Sequence, residues 1–94
     1  MGVTISPLTE EFAKELGLTK PEGALVGAVE AGTPAAKAGV QVQDVIQKVD
    51  EQPVKNFEDL IAIVSTKPIG KSVKLTIWRN KKTVNLWPVI KERP

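Results

Sequence analysis

The sequence predicts one small α+β domain, and three stretches carry that expectation. "GTPAAKAG" sets Thr33 and Pro34 at the entry of a one-turn helix and Gly39 at its exit. "NFEDLIAIV" sets Asn56 before acidic first-turn residues and apolar side chains at helical spacing. "KSVKLTIWRNKKTVNLWPVI" alternates apolar and polar residues about an Asn80-Lys81 turn, the pattern of a β-hairpin. At 94 residues the chain has room for a single core and no second.

In chain order, Val3 and Ile5 alternate with Thr4 as in a strand with one buried face, and Pro7 ends it by removing a backbone donor. Thr9 caps a helix over residues 10–16. There Glu10 and Glu11 suit the positive end, Phe12, Ala13 and Leu16 recur at helical spacing, and Gly17 supplies the C-terminal cap. Residues 24–32, "ALVGAVEAG", read as a strand in which Gly27 marks a bulge or a close backbone approach, and the helix 35–38 follows. "DVIQKVD" over 44–50 is a strand with Val45, Gln47 and Val49 opposed to Ile46 and Lys48, and "EQPV" is a turn.

The helix after Asn56 has two apolar stripes. If Leu60 and Ile63 face the core, Phe57, Ile61 and Val64 form an adjacent stripe that needs its own neighbour. That neighbour is either a ligand in a groove or simply more of the domain. In the closing hairpin, pairing Trp78 with Thr83 sends Val73, Leu75, Ile77, Val84 and Leu86 to the core. The same register leaves Trp78 and Trp87 on the face where alternation predicts solvent, as a partner surface or packed beneath Lys74.

Composition excludes several function classes. The chain has neither histidine nor cysteine, which removes the usual general base, the thiolate and the commonest nitrogen ligand of transition metals. No catalytic residue, metal or cofactor is expected. The acidic pairs Glu10/Glu11 and Glu58/Asp59 are accounted for by helix N-termini. The net charge of +2 arises mainly from Lys and Arg within residues 67–93, interleaved with strand residues rather than gathered in a stripe, so no nucleic-acid partner is expected. No apolar run approaches the roughly 20 residues of a membrane span, and no membrane insertion is expected. The glycines of "GALVGAVEAG" lack the strand-turn-helix context of a phosphate loop.

The stretch "EGALVGAVEAGTPAAKAGVQVQDVIQKVDEQPVKNFEDL" resembles a bacterial PDZ domain, specifically the kind attached to HtrA-type (Deg) serine proteases. The resemblance spans essentially the whole chain. Its most specific pieces are "GTPAAKAGV", "DVI" and "FEDL", followed by "KPIGKSVKLTIWRNKK". Gln43 stands where these domains often carry glycine, and Val42 where proline is frequent. The resemblance implies a PDZ-like, partly open β-barrel or sandwich of about five to six short strands capped by helices, in the circularly permuted strand order of bacterial members. It also implies an apolar-Gly-apolar loop whose amides receive a peptide's terminal carboxylate, and Met1-Gly2-Val3 matches that loop. Residues 1–94 are therefore expected to be one PDZ domain cut from a longer protein.

On this resemblance the expected function is recognition of extended C-terminal peptides by strand addition between the first strand and the helix over 57–64. The expected contacts are Met1, Gly2 and Val3 for the carboxylate and Val3, Thr4 and Ile5 for main-chain pairing. Val3, Ile5, Ile61 and Val64 form the pocket for an apolar last side chain, and Phe57 faces the third residue from the peptide end. The implied partners are C-termini of misfolded or partner proteins and an attached protease domain, in the periplasm or cell envelope. Rival expectations are the PDZ domain of an intramembrane metalloprotease or processing protease, or a scaffold that packs between domains and binds no peptide.

Overall fold

A computed structural model describes residues 3–6, 8–18 and 22–90. Its elements are β1 (Val3–Ser6), α1 (Glu10–Glu15), β2 (Ala24–Val29), α2 (Pro34–Ala38), β3 (Val45–Val49), β4 (Gln52–Pro53), α3 (Phe57–Ser65), β5 (Leu75–Arg79) and β6 (Lys82–Leu86). The strands form one open antiparallel sheet in the order β1-β2-β3-β5-β6, with β4 attached to β3. Short strands capped by helices are the expected architecture. β3 is the hub, with three neighbours, whereas β1 and β6 end the path.

Local chemistry explains the helix ends. The side chains of Thr9, Thr33 and Asn56 accept from the amides of Phe12, Ala36 and Asp59, satisfying donors that each first turn leaves unpaired. Gly17 and Gly39 stop α1 and α2 in the left-handed region, at φ +83° and +99°. There the Leu18 amide reaches the Ala13 carbonyl and the Val40 amide reaches the Ala35 carbonyl, closing both ends in the Schellman manner. These termini agree with the sequence reading, apart from α1 ending at Glu15 with Leu16 as its cap.

The core lies under the sheet, where Val26, Ile46, Val49, Leu75 and Ile77 are buried against Leu60 of α3. Each such side chain contributes roughly 1.5–3 kcal/mol by leaving water. Three expectations change. The second strand stops at Val29 rather than running to 32, because Gly32 turns at φ +79° and the Thr33 hydroxyl donates to the Glu30 carbonyl at 2.7 Å, bending the chain into α2. The alternation expected across 44–50 fails because the β3–β5 register shifts between Ile46 and Lys48, so Val45, Ile46 and Val49 are all buried. Val84 and Leu86 are half-buried rather than fully enclosed, because β6 is an end strand.

Trp78 pairs with Thr83 as expected, but it is half-buried: its Nε1–H donates to the Leu16 carbonyl at 2.7 Å, tying β5 to the end of α1. Trp87 is 59% exposed.

Candidate functional site

β1 is bonded to the sheet only through β2, so the described residues put no strand on its outer edge. Its pairing carries the irregularity that Gly27 suggested. Val3 opposes Val29 and Thr4 opposes Ala28, but Ile5 opposes Val26, leaving Gly27 as the extra residue of a bulge. The bulge resets the parity of β2, so Val26 and Val29, three apart, both share a face with the apolar residues of β1. Val3 and Ile5 are half-buried and pack against the core cluster, while Thr4 is exposed.

α3 presents the two stripes expected from its spacing. Leu60 is 2% exposed and Ile63 packs beside it against the core. Phe57 and Val64 are half-buried on the flank of the same cluster, and Ile61 is 58% exposed. A large aliphatic side chain so exposed between two half-buried ones belongs to a surface rather than to a buried interior.

Polar contacts fasten α3 at its ends. Ahead of the helix, the Gly23 amide donates to the Lys55 carbonyl at 3.0 Å, and the Lys55 amide donates to Asp59 Oδ2 at 3.1 Å. Beyond it, Lys67 Nζ lies 3.3 Å from Asp50 Oδ2, and the Lys74 amide donates to Asp50 Oδ1 at 2.8 Å. The Lys74 amide, aided by Lys67, holds the Asp50 carboxyl below its ordinary pKa against a smaller opposing effect of burial. The sequence reading missed this clamp, since Asp50 and Lys74 lie 24 positions apart.

Val3, Thr4, Ile5, Phe57, Ile61 and Val64 thus lie on β1 and α3 without a charged side chain among them. Met1 and Gly2, expected to receive a carboxylate, lie outside the described residues. Also missed was Ser6, whose Oγ sits 2.8 Å from where a Cβ on Gly27 would be. What this arrangement offers is main-chain donors and acceptors beside an apolar row. Among the described residues no cluster suited to a metal ion occurs.

The family described as PDZ domain matches residues 1–87. Among curated relatives, the probable periplasmic serine endoprotease DegP-like of Rhizobium meliloti (strain 1021) is 41% identical over 88 residues, covering 92% of this chain and 18% of the relative. The protein of the same description from Pseudomonas putida (strain W619) is 44% identical over 86 residues, covering 92% and 18%. The chain spans 18% of the length of each. Among solved structures, the HtrA-type protease AlgW with decapeptide superposes with a TM-score of 0.86 at 32% identity, over 99% of this chain and 29% of that one. The HtrA3 PDZ domain bound to a phage-derived ligand gives 0.79 at 23% identity, over 98% and 83%, a likeness of fold.

Proposed function

This chain belongs to the PDZ domain family, and from that premise we infer that it recognises extended C-terminal segments of proteins by adding them as a strand to the free edge of β1, beside α3. The observation that carries this reading is that, among the described residues, β1 pairs with β2 alone while Ile61 stands exposed on α3 between the half-buried Phe57 and Val64. The HtrA-type protease AlgW, similar to this chain at 32% identity, was solved with a decapeptide and with a tripeptide, which supports peptide binding.

In this mechanism the amides and carbonyls of Val3, Thr4 and Ile5 exchange hydrogen bonds with the peptide backbone, which supplies affinity with little regard to sequence. Selectivity comes from alternate peptide side chains. The last one enters the pocket of Val3, Ile5, Ile61 and Val64, and the third from the end meets Phe57, whose ring offers no hydrogen bond and so favours an apolar residue there over Ser or Thr. The terminal carboxylate is received by the amides of Gly2 and Val3, where Gly2 lets the backbone approach closely and Met1 completes the loop. The chain is a recognition module without catalytic chemistry of its own. Its parent is a serine endopeptidase of the periplasm, as the descriptions of the relatives support, and the domain feeds or regulates that protease.

The test is calorimetric titration with one peptide in two forms, carrying a free or an amidated C-terminus. The amide lacks the anionic acceptor, and a loss of about ten-fold or more is expected, corresponding to about 1.4 kcal/mol or more. Superimposable curves would overturn carboxylate recognition.

A further inference from the structure

We propose that Gly27 is a positioning residue for peptide binding: lacking a side chain at the bulge, it leaves room for Ser6 and so holds the free edge of β1 at the place an added strand requires. The proposal rests on the strand-addition reading above and assigns a role to a residue on the strand behind the ligand, one that would touch no ligand atom.

The argument begins with register. Gly27 has no partner on β1, since Thr4 opposes Ala28 and Ile5 opposes Val26. A Cβ built on Gly27 would lie 2.8 Å from Ser6 Oγ, 3.6 Å from the Thr4 carbonyl oxygen and 3.8 Å from Ser6 Cβ. The first distance is shorter than real Cβ contacts show, whereas the other two are ordinary van der Waals contact. A single methyl is therefore accommodated by rotating the serine hydroxyl. A β-branched side chain is not, because its γ-carbons extend beyond that Cβ into the space bounded by Ser6 Cβ and the Thr4 carbonyl.

The direction of the resulting shift matters. β2 lies on one side of β1 and is itself held on its other side up to the residue before Gly27, by pairing of Ala24 and Leu25 with β3 and by the bonds of Val26 with Asp44 and Gln43. The strand free to move is β1, and moving away from β2 means moving toward its open edge. That displacement shifts Val3 and Ile5 relative to Ile61 and Val64 and occupies the space of an incoming strand. Gly27 itself is exposed, so the change adds no unpaired group to the core.

The experiment compares the unaltered chain with Gly27→Ala, Gly27→Val, Ser6→Gly and the double variant Gly27→Val/Ser6→Gly. The probe is the acid-terminated decapeptide that the unaltered chain selects from a random C-terminal library, titrated by calorimetry and paired with thermal melts. Gly27→Val should lose about ten-fold or more in affinity, Gly27→Ala and Ser6→Gly about two- to three-fold at most, and the double variant should regain most of the loss. Loss of affinity in Gly27→Val at an unchanged melting temperature, recovered through Ser6→Gly, is the decisive reading, since a merely structural clash would move the melts and the affinity together. Unchanged affinity in folded Gly27→Val, or no regain in the double variant, overturns the proposal while leaving peptide binding intact. Should Gly27→Val fail to fold, Gly27→Thr and its Ser6→Gly double are judged by the same rescue, and failure of both to fold overturns the proposal by placing Gly27 in the stability of the fold. If the unaltered chain selects no peptide at all, the strand-addition reading falls and this proposal with it.

Discussion

Arg79 holds Asp44 side-on: Nε donates to Oδ1 at 2.8 Å, Nη2 donates to Oδ2, and the same Nη2 reaches the Gly39 carbonyl at 2.7 Å. Asp44 is 1% exposed and also accepts from the Gln41 amide, so a single buried carboxylate joins the loop after α2 to β5. The Asp44 carboxylate in turn keeps the guanidinium charged beyond its ordinary range. Arg79→Leu should destabilise the domain by about 3–5 kcal/mol, because it leaves a buried charge unpaired. Asp44→Leu combined with Arg79→Leu should recover part of that loss. Chemical denaturation of Arg79→Leu, Asp44→Leu and the double variant checks both statements, and a double variant as unstable as the sum of its singles would count against the pair as the cause.

Leu60 and Ile61 are neighbours in sequence with opposite surroundings, 2% and 58% exposed. We expect Leu60→Asp to abolish cooperative melting, through an unpaired charge among apolar side chains. Ile61→Asp should melt within a few degrees of the unaltered chain, a shift of about 0.5 kcal/mol or less, and lose most of its peptide affinity. Equal unfolding of both variants would count against the two-stripe description of α3.

Gln43 sits at φ +73°, a region that side chains other than glycine occupy under strain, while its amide donates to the Val26 carbonyl at 2.8 Å. Gln43→Gly relieves that strain and adds chain entropy to the unfolded state, and we expect a net gain of roughly 0.5–1 kcal/mol. A lower melting temperature for the glycine variant would refute this. The geometry also gives a physical reason for the glycine that similar domains often carry there.

Asp50 gives the pH dependence a definite sign. Its folded pKa lies below the unfolded value of about 3.8, so its contribution is present above that value and lost as pH falls through the lower folded one. The stability difference between the unaltered chain and Asp50→Asn should therefore be constant above about pH 5 and shrink progressively below about pH 4. With the Asp50 side chain 38% exposed, added salt should reduce the part due to Lys67 and spare the part due to the Lys74 amide. A difference independent of pH down to 3 would exclude the clamp.

What could be read from the sequence was local. Caps at Thr9, Thr33 and Asn56, stops at Gly17 and Gly39, and the Trp78–Thr83 register each follow from a few adjacent residues whose backbone needs no distant help. The apolar stripes of α3 were equally legible, because helical periodicity fixes relative direction. The bulge in β3 was not, since "VIQKV" alternates plausibly without it and only pairing with β5 forces the shift. Nor was the meeting of Asp44 with Arg79, separated by 35 positions. In the candidate site, Gly27 announced an irregularity, but nothing in the sequence tied it to Ser6. That contact needs the two strands laid side by side.

The fastening of α3 at Lys55 and Lys67 has an evolutionary consequence. A helix secured at its tips by main-chain bonds and one ion pair, and along its inner face by Leu60 and Ile63, asks no anchorage of Ile61, which lies outside the core. Substitution at that position alters what the surface favours without loosening what keeps it in place. Descendants of such a domain can therefore diverge in what this surface favours while inheriting the same scaffold, and a library randomised at Ile61 alone should yield mostly folded members.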